Sequence, residues 1–441
     1  MTGVSRRKFL KTTGAGALAA SSGGLAGILA TGRAPAYAQQ TTVHWLRWND
    51  FVPACDQLLR QKLLPEAEKA LGIKVRYETV NGNDLQPRIT SGIQSGAGPD
   101  LIMLFNNHPH LYQASLADLS DVAEEIGKAQ GGYYKISIGN CASGGKFFAM
   151  PMAIIGAMNA YRKSWFAEAG YNQFPKTWDE YREAGKKIKA KGYPIGQAFG
   201  QSFGDPPTFA YPLIWSFGGA EVDDKGKVIL NSKETVEAVK WMTAAWKDAF
   251  DEGGLAWDDA SNNRAFLAGT ICSTLNGASI YIEAMRKPEQ YKTADGKPLK
   301  DDILHAPLPA GPAGQYGFHT YTSHVMPRYS KNQSAAKDLL RFIHKKENYE
   351  QWFTTGLGFY TPGTTGWEDH ALWKKDPVMA PYAVAGKMGQ TPGHRGEPNA
   401  KAGEVLTKYL IVNMFAGAIR GQKAEDAVAA CAAELKKIYE A

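Results

Sequence analysis

The stretch TVHWLRWNDFVPACDQLLRQKLLPEAEKALGIKVRYETV, Thr42 to Val80, holds two periodicities with a clear boundary between them. Thr42–Trp48 reads as a strand. Pro53 then introduces apolar residues at helical spacing as far as Gly72, and from Ile73 to Val80 apolar and polar residues alternate with period two, which predicts a second strand. A polar helix follows, closed by Ser95-Gly-Ala-Gly-Pro-Asp100, and then the apolar run Leu101–Phe105. This β-α-β-α-β order predicts an α/β fold with a parallel sheet covered by helices on both faces, and in such open sheets ligands bind beyond the carboxyl ends of the strands. Those ends carry Arg47-Trp48-Asn49-Asp50 and Phe105-Asn106-Asn107-His108-Pro109-His110, both rich in hydrogen-bonding side chains.

Farther along, helices are predicted over Lys176–Gly192 with Thr177 as cap, over Thr235–Phe250 after Asn231-Ser232, and over Ala424–Glu440; Thr270–Gly277 reads as a strand. The Gly/Pro-rich segment Ala306–Gly317 reads as a connection between lobes. No repeat of solenoid length appears.

The amino terminus has a different character. Arg6 and Arg7 with Lys8, Phe9, Leu10 and Lys11 precede the apolar stretch Gly14–Ala30, diluted by glycine and serine, and then Ala34–Ala38 with small residues at Ala36 and Ala38. This reads as a cleavable export signal resembling the twin-arginine type, cut after Ala38. The apolar stretch is too short and weak for a spanning helix. The first cysteine is Cys55, so no lipid anchor is expected and the mature chain should be free in the periplasm. Residues 1–38 carry five basic residues and no acid, which leaves 45 basic against 43 acidic residues and a net charge of +2 in the remaining 403. A near-neutral chain of that length suits two domains and gives no electrostatic reason for a nucleic-acid partner. Cys55, Cys141, Cys272 and Cys431 are widely separated and form no C-x-x-C; a disulfide among them and isolated buried thiols both remain open.

Gly200-Gln-Ser202-Phe-Gly204 has the letters of a nucleophile elbow, but that motif needs a helix directly after the serine. Asp205-Pro206-Pro207 is expected to prevent one, so Ser202 is not expected to be catalytic. His108 and His110 lack carboxylates or thiols at ligand spacing, and no metal or other cofactor is expected. No paired-carboxylate or P-loop pattern is present. What remains is aromatic residues, 11% of the chain, several beside amides: Trp48 with Asn49, Phe105 with Asn106, Tyr211 after the two prolines, Tyr321 near His319. Most rings of any chain are core, but rings beside planar amides and carboxylates also suit a polyhydroxylated ligand, whose C–H faces stack while its hydroxyls take fixed hydrogen bonds.

Gly96–Val122, Lys146–Ile188, Ala265–Ser279 and Ser334–Ile343, taken in order, resemble successive signatures of the maltose-binding-protein-like, family 1 extracellular solute-binding proteins of ABC importers. The resemblance runs from about Val43 to Tyr439. It implies a two-lobed periplasmic binding protein fold, type II-like, with a hinge: lobe 1 from residues 39–155 and 318–362, lobe 2 from 156–317 and 363–441. The chain would cross at Pro151–Asn159, return at Phe318–Val325 and cross again near Thr361-Pro362. Carried over by position, the ligand-binding residues are Trp48, Asn49 and Asp50; Phe105, Asn106, Asn107 and His108; Ile155 and Gly156; Thr208, Phe209 and Tyr211; Asn276, Gly277 and Ser279; and, from the return strand and late loops, His319, Tyr321, Tyr360 and Arg395. Ile155 and Gly156 stand where several relatives have a carboxylate, and Ser279 where relatives often have a tryptophan, which argues against a maltodextrin-like ligand.

The implied function is capture of a carbohydrate or polyol for an ABC permease in the inner membrane, by a monomeric, non-enzymatic protein exported through the twin-arginine machinery. The alternatives are a charged ligand and an exported hydrolase. An anion such as a sugar phosphate or sulfonated sugar would need Arg47, Arg395 or a helix N-terminus at the cleft. A polyamine would need Asp50 with further carboxylates and rings. The hydrolase would need a nucleophile or a carboxylate pair in the cleft.

Overall fold

The computed structural model describes residues 41–440; Arg6, Arg7 and Ala38, on which the export signal rests, lie outside the described residues. Strand β1 (Thr42–Trp48) leads into α1 (Pro53–Leu58), a π-helical turn at Leu59–Leu63 and α2 (Leu64–Leu71). The predicted single helix is therefore one rod with a widened turn. Pro65 explains it: with no N–H and a ring that crowds the carbonyl four residues back, it cannot continue a regular ladder. Gly72 ends the rod in the left-handed region, φ 67°, its N–H donating to the Glu68 carbonyl at 3.0 Å. Strand β2 (Lys74–Val80), helix α3 (Leu85–Ser95) and the wholly buried β3 (Leu101–Phe105) complete the opening β-α-β-α-β.

The chain then runs through β4 (Met150–Ile155) and, after Gly156-Ala157, into β5 (Met158–Arg162), which belongs to a different sheet. Next come α4 (Trp178–Lys189), α5 (Asp205–Phe217), α6 (Lys233–Ala249), α7 (Ser261–Leu267), β6 (Ser273–Asn276) and β7 (Ile303–Ala306). Strand β8 (Thr320–Val325) returns to the first sheet, joined by β9 (Thr361–Pro362), and the described chain closes with α8 (Ala424–Tyr439). The first sheet has the order β9–β4–β8–β3–β1–β2; the second is β6–β5–β7. The parallel arrangement holds for β3–β1–β2 only. Strands β8, β4 and β9 join antiparallel, as do all three strands of the second sheet.

Strands β4 and β8 are neighbours, with Thr320 opposite Ile155, so the chain leaves and re-enters the first sheet at the same end of two adjacent strands. The His319 ring nitrogen Nδ1 accepts from the Ala157 N–H at 3.1 Å and ties the two passages together. A third passage lies at Gly389–Gln390, which pairs with Gly317–Phe318, later in the chain than Thr361-Pro362. Trp367 Nε1 donates to the Gln130 side-chain oxygen, the Thr361 hydroxyl of β9 donates to the Tyr382 carbonyl, and Ala385–Met388 packs on Lys135–Cys141 and β4. Residues 363–385 thus depart from the expectation that everything after 362 lies with lobe 2. Cys55, Cys141, Cys272 and Cys431 are all free and buried. No helix among the described residues is long and apolar enough to cross a membrane.

The predicted Thr177 cap is formed, and the helix after Asn231-Ser232 has a cap as well. Ser232 accepts from the Thr235 N–H at the start of α6, and Thr177 and Glu180 make a reciprocal capping box on α4. Thr177→Ala removes one half of the box and should lower stability by about 1 kcal/mol, read as a shift in the denaturant midpoint with an unchanged slope.

Candidate ligand-binding cleft

Strand β1 is flanked by β2 on one side and β3 on the other, so the ends of β1 and β3 open side by side at the point where the strand order reverses. Trp48 ends β1 and Phe105 ends β3, their ring centroids 5.4 Å apart. Around this point Trp48, Phe51, Ile155, Thr320 and Phe359 form one wall of a cleft, and Phe203, Gly204, Asp205, Asp259, Asn276, Gly277 and Ser279 the other. The walls are nearly closed. Phe203 lies flat on Phe105, centroids 4.1 Å apart and planes 13° from parallel, and edge-on to Trp48; Phe359 lies nearly parallel to Trp48 at 6.4 Å. About 30 Å³ of free space is left, enough for a water molecule and far too little for a sugar ring. Ring faces that would receive a ligand cover one another instead. Gly277 permits the approach of the walls: a Cβ there would stand 2.9 Å from the Phe359 ring and 3.0 Å from Ile155.

The second wall is built on the start of α5. Pro206 and Pro207 occupy its first turn, contrary to the expectation that they forbid a helix there. The first N–H groups of a helix have no partner within it, so prolines at those positions sacrifice no bond. The two donors left, the N–H groups of Gly204 and Asp205, both go to the Asp259 carboxylate, at 3.2 and 2.7 Å, and the Ser202 hydroxyl donates to the same group. Asp205 points the other way. Its Oδ2 accepts from Asn262 at 2.7 Å and Asn276 at 3.2 Å. Burial and the neighbouring Asp259 push the Asp205 carboxyl well above the usual range, and burial raises Asp259 as well. With three donors on Asp259, the proton of the pair rests on Asp205.

Behind the first wall Trp48 is fixed by a polar chain. Its Nε1 donates to the Tyr360 hydroxyl at 3.2 Å, and that hydroxyl donates to Asp50 at 2.6 Å; Asp50 also accepts from the Val52 N–H. Burial outweighs the nearby Arg47 and these bonds, so the Asp50 carboxyl is pushed up to about 7. Arg47 is wholly buried beneath, against the faces of Trp45 and Trp352, and donates to Tyr77.

Of the residues expected to bind ligand, the structure brings Trp48, Ile155, Asn276, Gly277 and Ser279 to the cleft, with Phe105 directly beneath Phe203. Asp50 and Tyr360 lie one layer deeper. Gly156 faces Tyr382 rather than the opening, and Asn49 is exposed and does not line the cleft. Asn106 stands in the left-handed region, φ 47°, and exchanges bonds with the backbone of Tyr321, so it serves the turn after β3. Asn107 and His108 are buried, and burial alone lowers the His108 ring to about 4. Thr208, Phe209 and Tyr211 are helical rather than in a loop. Thr208 bonds the Asp205 carbonyl, and Phe209 and Tyr211 pack in the second core, Tyr211 against Trp215 and Phe318. Tyr321 is also core, His319 sits at the crossing between sheets, and Arg395 is exposed with its guanidinium at the Gly218 carbonyl. Phe51, Phe203, Asp205, Asp259, Thr320 and Phe359 were not anticipated. Asp205 and Asp259 are 54 positions apart, so no spacing pattern links them, and they supply from the second wall the carboxylates missing at Ile155 and Gly156.

The raised Asp205 carboxyl carries a sign that a melt can read. The folded chain holds this proton more tightly than the unfolded chain, so the group favours folding at acid pH and that contribution is lost as pH rises through its elevated value. The stability difference between Asp205→Asn and the parent should therefore move in favour of the variant from about pH 5 to about pH 8, by at most roughly 1.4 kcal/mol per pH unit.

Comparison with known proteins agrees with this architecture. The family described as bacterial extracellular solute-binding protein matches residues 54–350. A Deinococcus radiodurans protein named "Probable ABC transporter-binding protein" is 28% identical over 234 residues, 51% of this chain and 54% of that protein, so the chain spans about half the length of that relative. An arabinooligosaccharide-binding protein of Halalkalibacterium halodurans is 24% identical over 316 residues, 69% of this chain and 67% of that one. The maltose-bound T. maritima MalE3 structure shares the fold with a TM-score of 0.75 and 22% identity, covering 90% of this chain and 100% of that one. With its two-sheet fold, its cleft at the ends of β1 and β3 and a family match across most of its length, the chain belongs to the bacterial extracellular solute-binding proteins.

Proposed function

We propose that this chain is the periplasmic binding component of an ABC importer, exported on a twin-arginine signal, and that it captures a carbohydrate or polyol by closing its walls around it and hands it to an inner-membrane permease. The observation that carries the reading is the cleft at the ends of β1 and β3, where stacking rings stand beside carboxylates and amides. The passages at Gly156-Ala157, at Phe318-His319 and at Gly389–Gln390 are the natural hinge, since few residues there must change for the walls to separate. The arabinooligosaccharide- and maltose-binding relatives support a sugar as ligand.

The anionic alternative loses the groups it required. Arg47 is buried behind Trp48, Arg395 is directed at Gly218, and the donors at the start of α5 are occupied by Asp259. The hydrolase alternative does find two carboxylates in the cleft. Asp259, however, is held by the helix start and the Ser202 hydroxyl, and Asp205 carries the proton of the pair and is held by Asn262 and Asn276, an arrangement that anchors a wall and sets no activated nucleophile beside a base.

A ligand at a hundredfold excess over its Kd should add about 2.7 kcal/mol of stability and raise the melting temperature by several degrees. A broad panel of sugars and polyols that left the melt unmoved would contradict the carbohydrate reading. Within the site, Trp48→Ala should weaken binding by roughly 1–3 kcal/mol. Tyr211→Phe should leave affinity unchanged in calorimetric titration, because the ring is core and its hydroxyl has no partner.

A further inference from the structure

We propose that the solute bound in this cleft carries a protonated amine, received by Asp205 between the ring faces of Trp48, Phe203 and Phe359. The proposal rests on the cleft being the ligand site, as argued above, and specifies the chemistry of what enters.

The charged side chains lining the cleft are both carboxylates, and among the described residues neither forms an ion pair. The two differ in what they lack. Asp259 takes three hydrogen bonds and acts as the anion at the start of α5. Asp205 is only 8% exposed, lines the cavity, and accepts through Oδ2 alone; its Oδ1 takes no hydrogen bond from the described residues. Burial with no counter-ion leaves this carboxyl protonated in the free protein, and an arriving ammonium group would displace that proton and supply the missing counter-charge to the open oxygen.

The donor inventory points the same way. A neutral sugar hydroxyl both gives and accepts, so a site for it should offer donors as well as acceptors. Both amide hydrogens of Asn276 are already given, to Asp205 and Asn263, and the Ser279 hydroxyl gives its hydrogen to Asn276. Pro206 and Pro207 have no N–H to offer, so the first turn of α5 presents nothing to an anion or an acceptor. Thr320 also brings a hydroxyl to the cleft, so neutral hydroxyls are not shut out; beside it, the open Asp205 oxygen and the π-faces of Trp48, Phe203 and Phe359 match an ammonium group, which has three donors, no acceptor and an attraction to aromatic faces. The matching class is a small hydroxylated solute bearing an amine, of which an amino sugar is the simplest form.

Matched pairs of probes differing in the amine test this by calorimetric titration at neutral pH: glucosamine against glucose, galactosamine against galactose, and putrescine against butane-1,4-diol. The cationic member of a binding pair should be preferred by about tenfold or more, and Asp205→Asn should reduce that preference to about threefold or less. The preference in the parent protein is a result in its own right, so the test does not depend on the variant folding. Neutral sugars binding as tightly as their amines, or a preference unchanged in Asp205→Asn, would overturn the amine proposal and leave the carbohydrate reading standing. No binding by any member would overturn both. Binding by putrescine and not by the amino sugars would keep the amine and remove the sugar.

Discussion

Asp259 holds the start of α5, and the second wall of the cleft follows from that contact. Two prolines in the first helical turn leave only the N–H groups of Gly204 and Asp205 to be satisfied, and one carboxylate satisfies both while taking the Ser202 hydroxyl as well. Gly204 is the residue that fits, since a Cβ there would stand 3.0 Å from the Asp259 carboxylate. Phe203 lies between Ser202 and Gly204 and is thereby carried onto Phe105, while Asp205, one residue on, is turned toward Asn262 and Asn276. A ring and a carboxylate are thus presented to the cleft by a single anchoring contact. Removing it would leave two buried N–H groups unpaired, each costing on the order of 1–3 kcal/mol.

The opposite wall has its own support. Tyr360 stands between Asp50 and the Trp48 indole, so the ring at the end of β1 is fixed by hydrogen bonding as well as by packing. This wall is carried by the first sheet, at the end of parallel β1 and at the ends of antiparallel β4 and β8, and the other by the start of α5 and the end of β6; between them run only short crossings. Ring-on-ring contact then sets the energetic terms of binding. On the proposed reading, a ligand would separate Phe203 from Phe105, forfeiting roughly 0.5–1.5 kcal/mol of pair interaction, and recover it by offering its own faces to the same rings.

The elements were legible because their signals are local. Period-two alternation marked β2, helical spacing marked α1 and α2, and Thr177 and Ser232 marked helix starts where the caps are formed. Trp48 was legible as well, since the end of a first parallel strand is a place where ligands bind. The second wall was not. Pro206 and Pro207 read against a helix after Ser202, yet a first turn never uses the donors that prolines lack, and Tyr211 lies on the core side of α5. Asp205 and Asp259 meet only through the fold, and the third crossing is a two-residue strand at Gly389–Gln390 with no periodicity to betray it. Local order was written in neighbouring residues; the cleft depends on contacts between distant ones.

The most direct test of the central claim is a crystal structure of the protein with the tightest-binding member of a solute panel. The account predicts the ligand between Phe203 on one side and Trp48 and Phe359 on the other, with a polar group at Asp205 and the Phe203 ring lifted from Phe105. A ligand seated elsewhere, for instance in the outer groove beside the stacked Trp165 and Tyr193, with Phe203 still flat on Phe105, would contradict it.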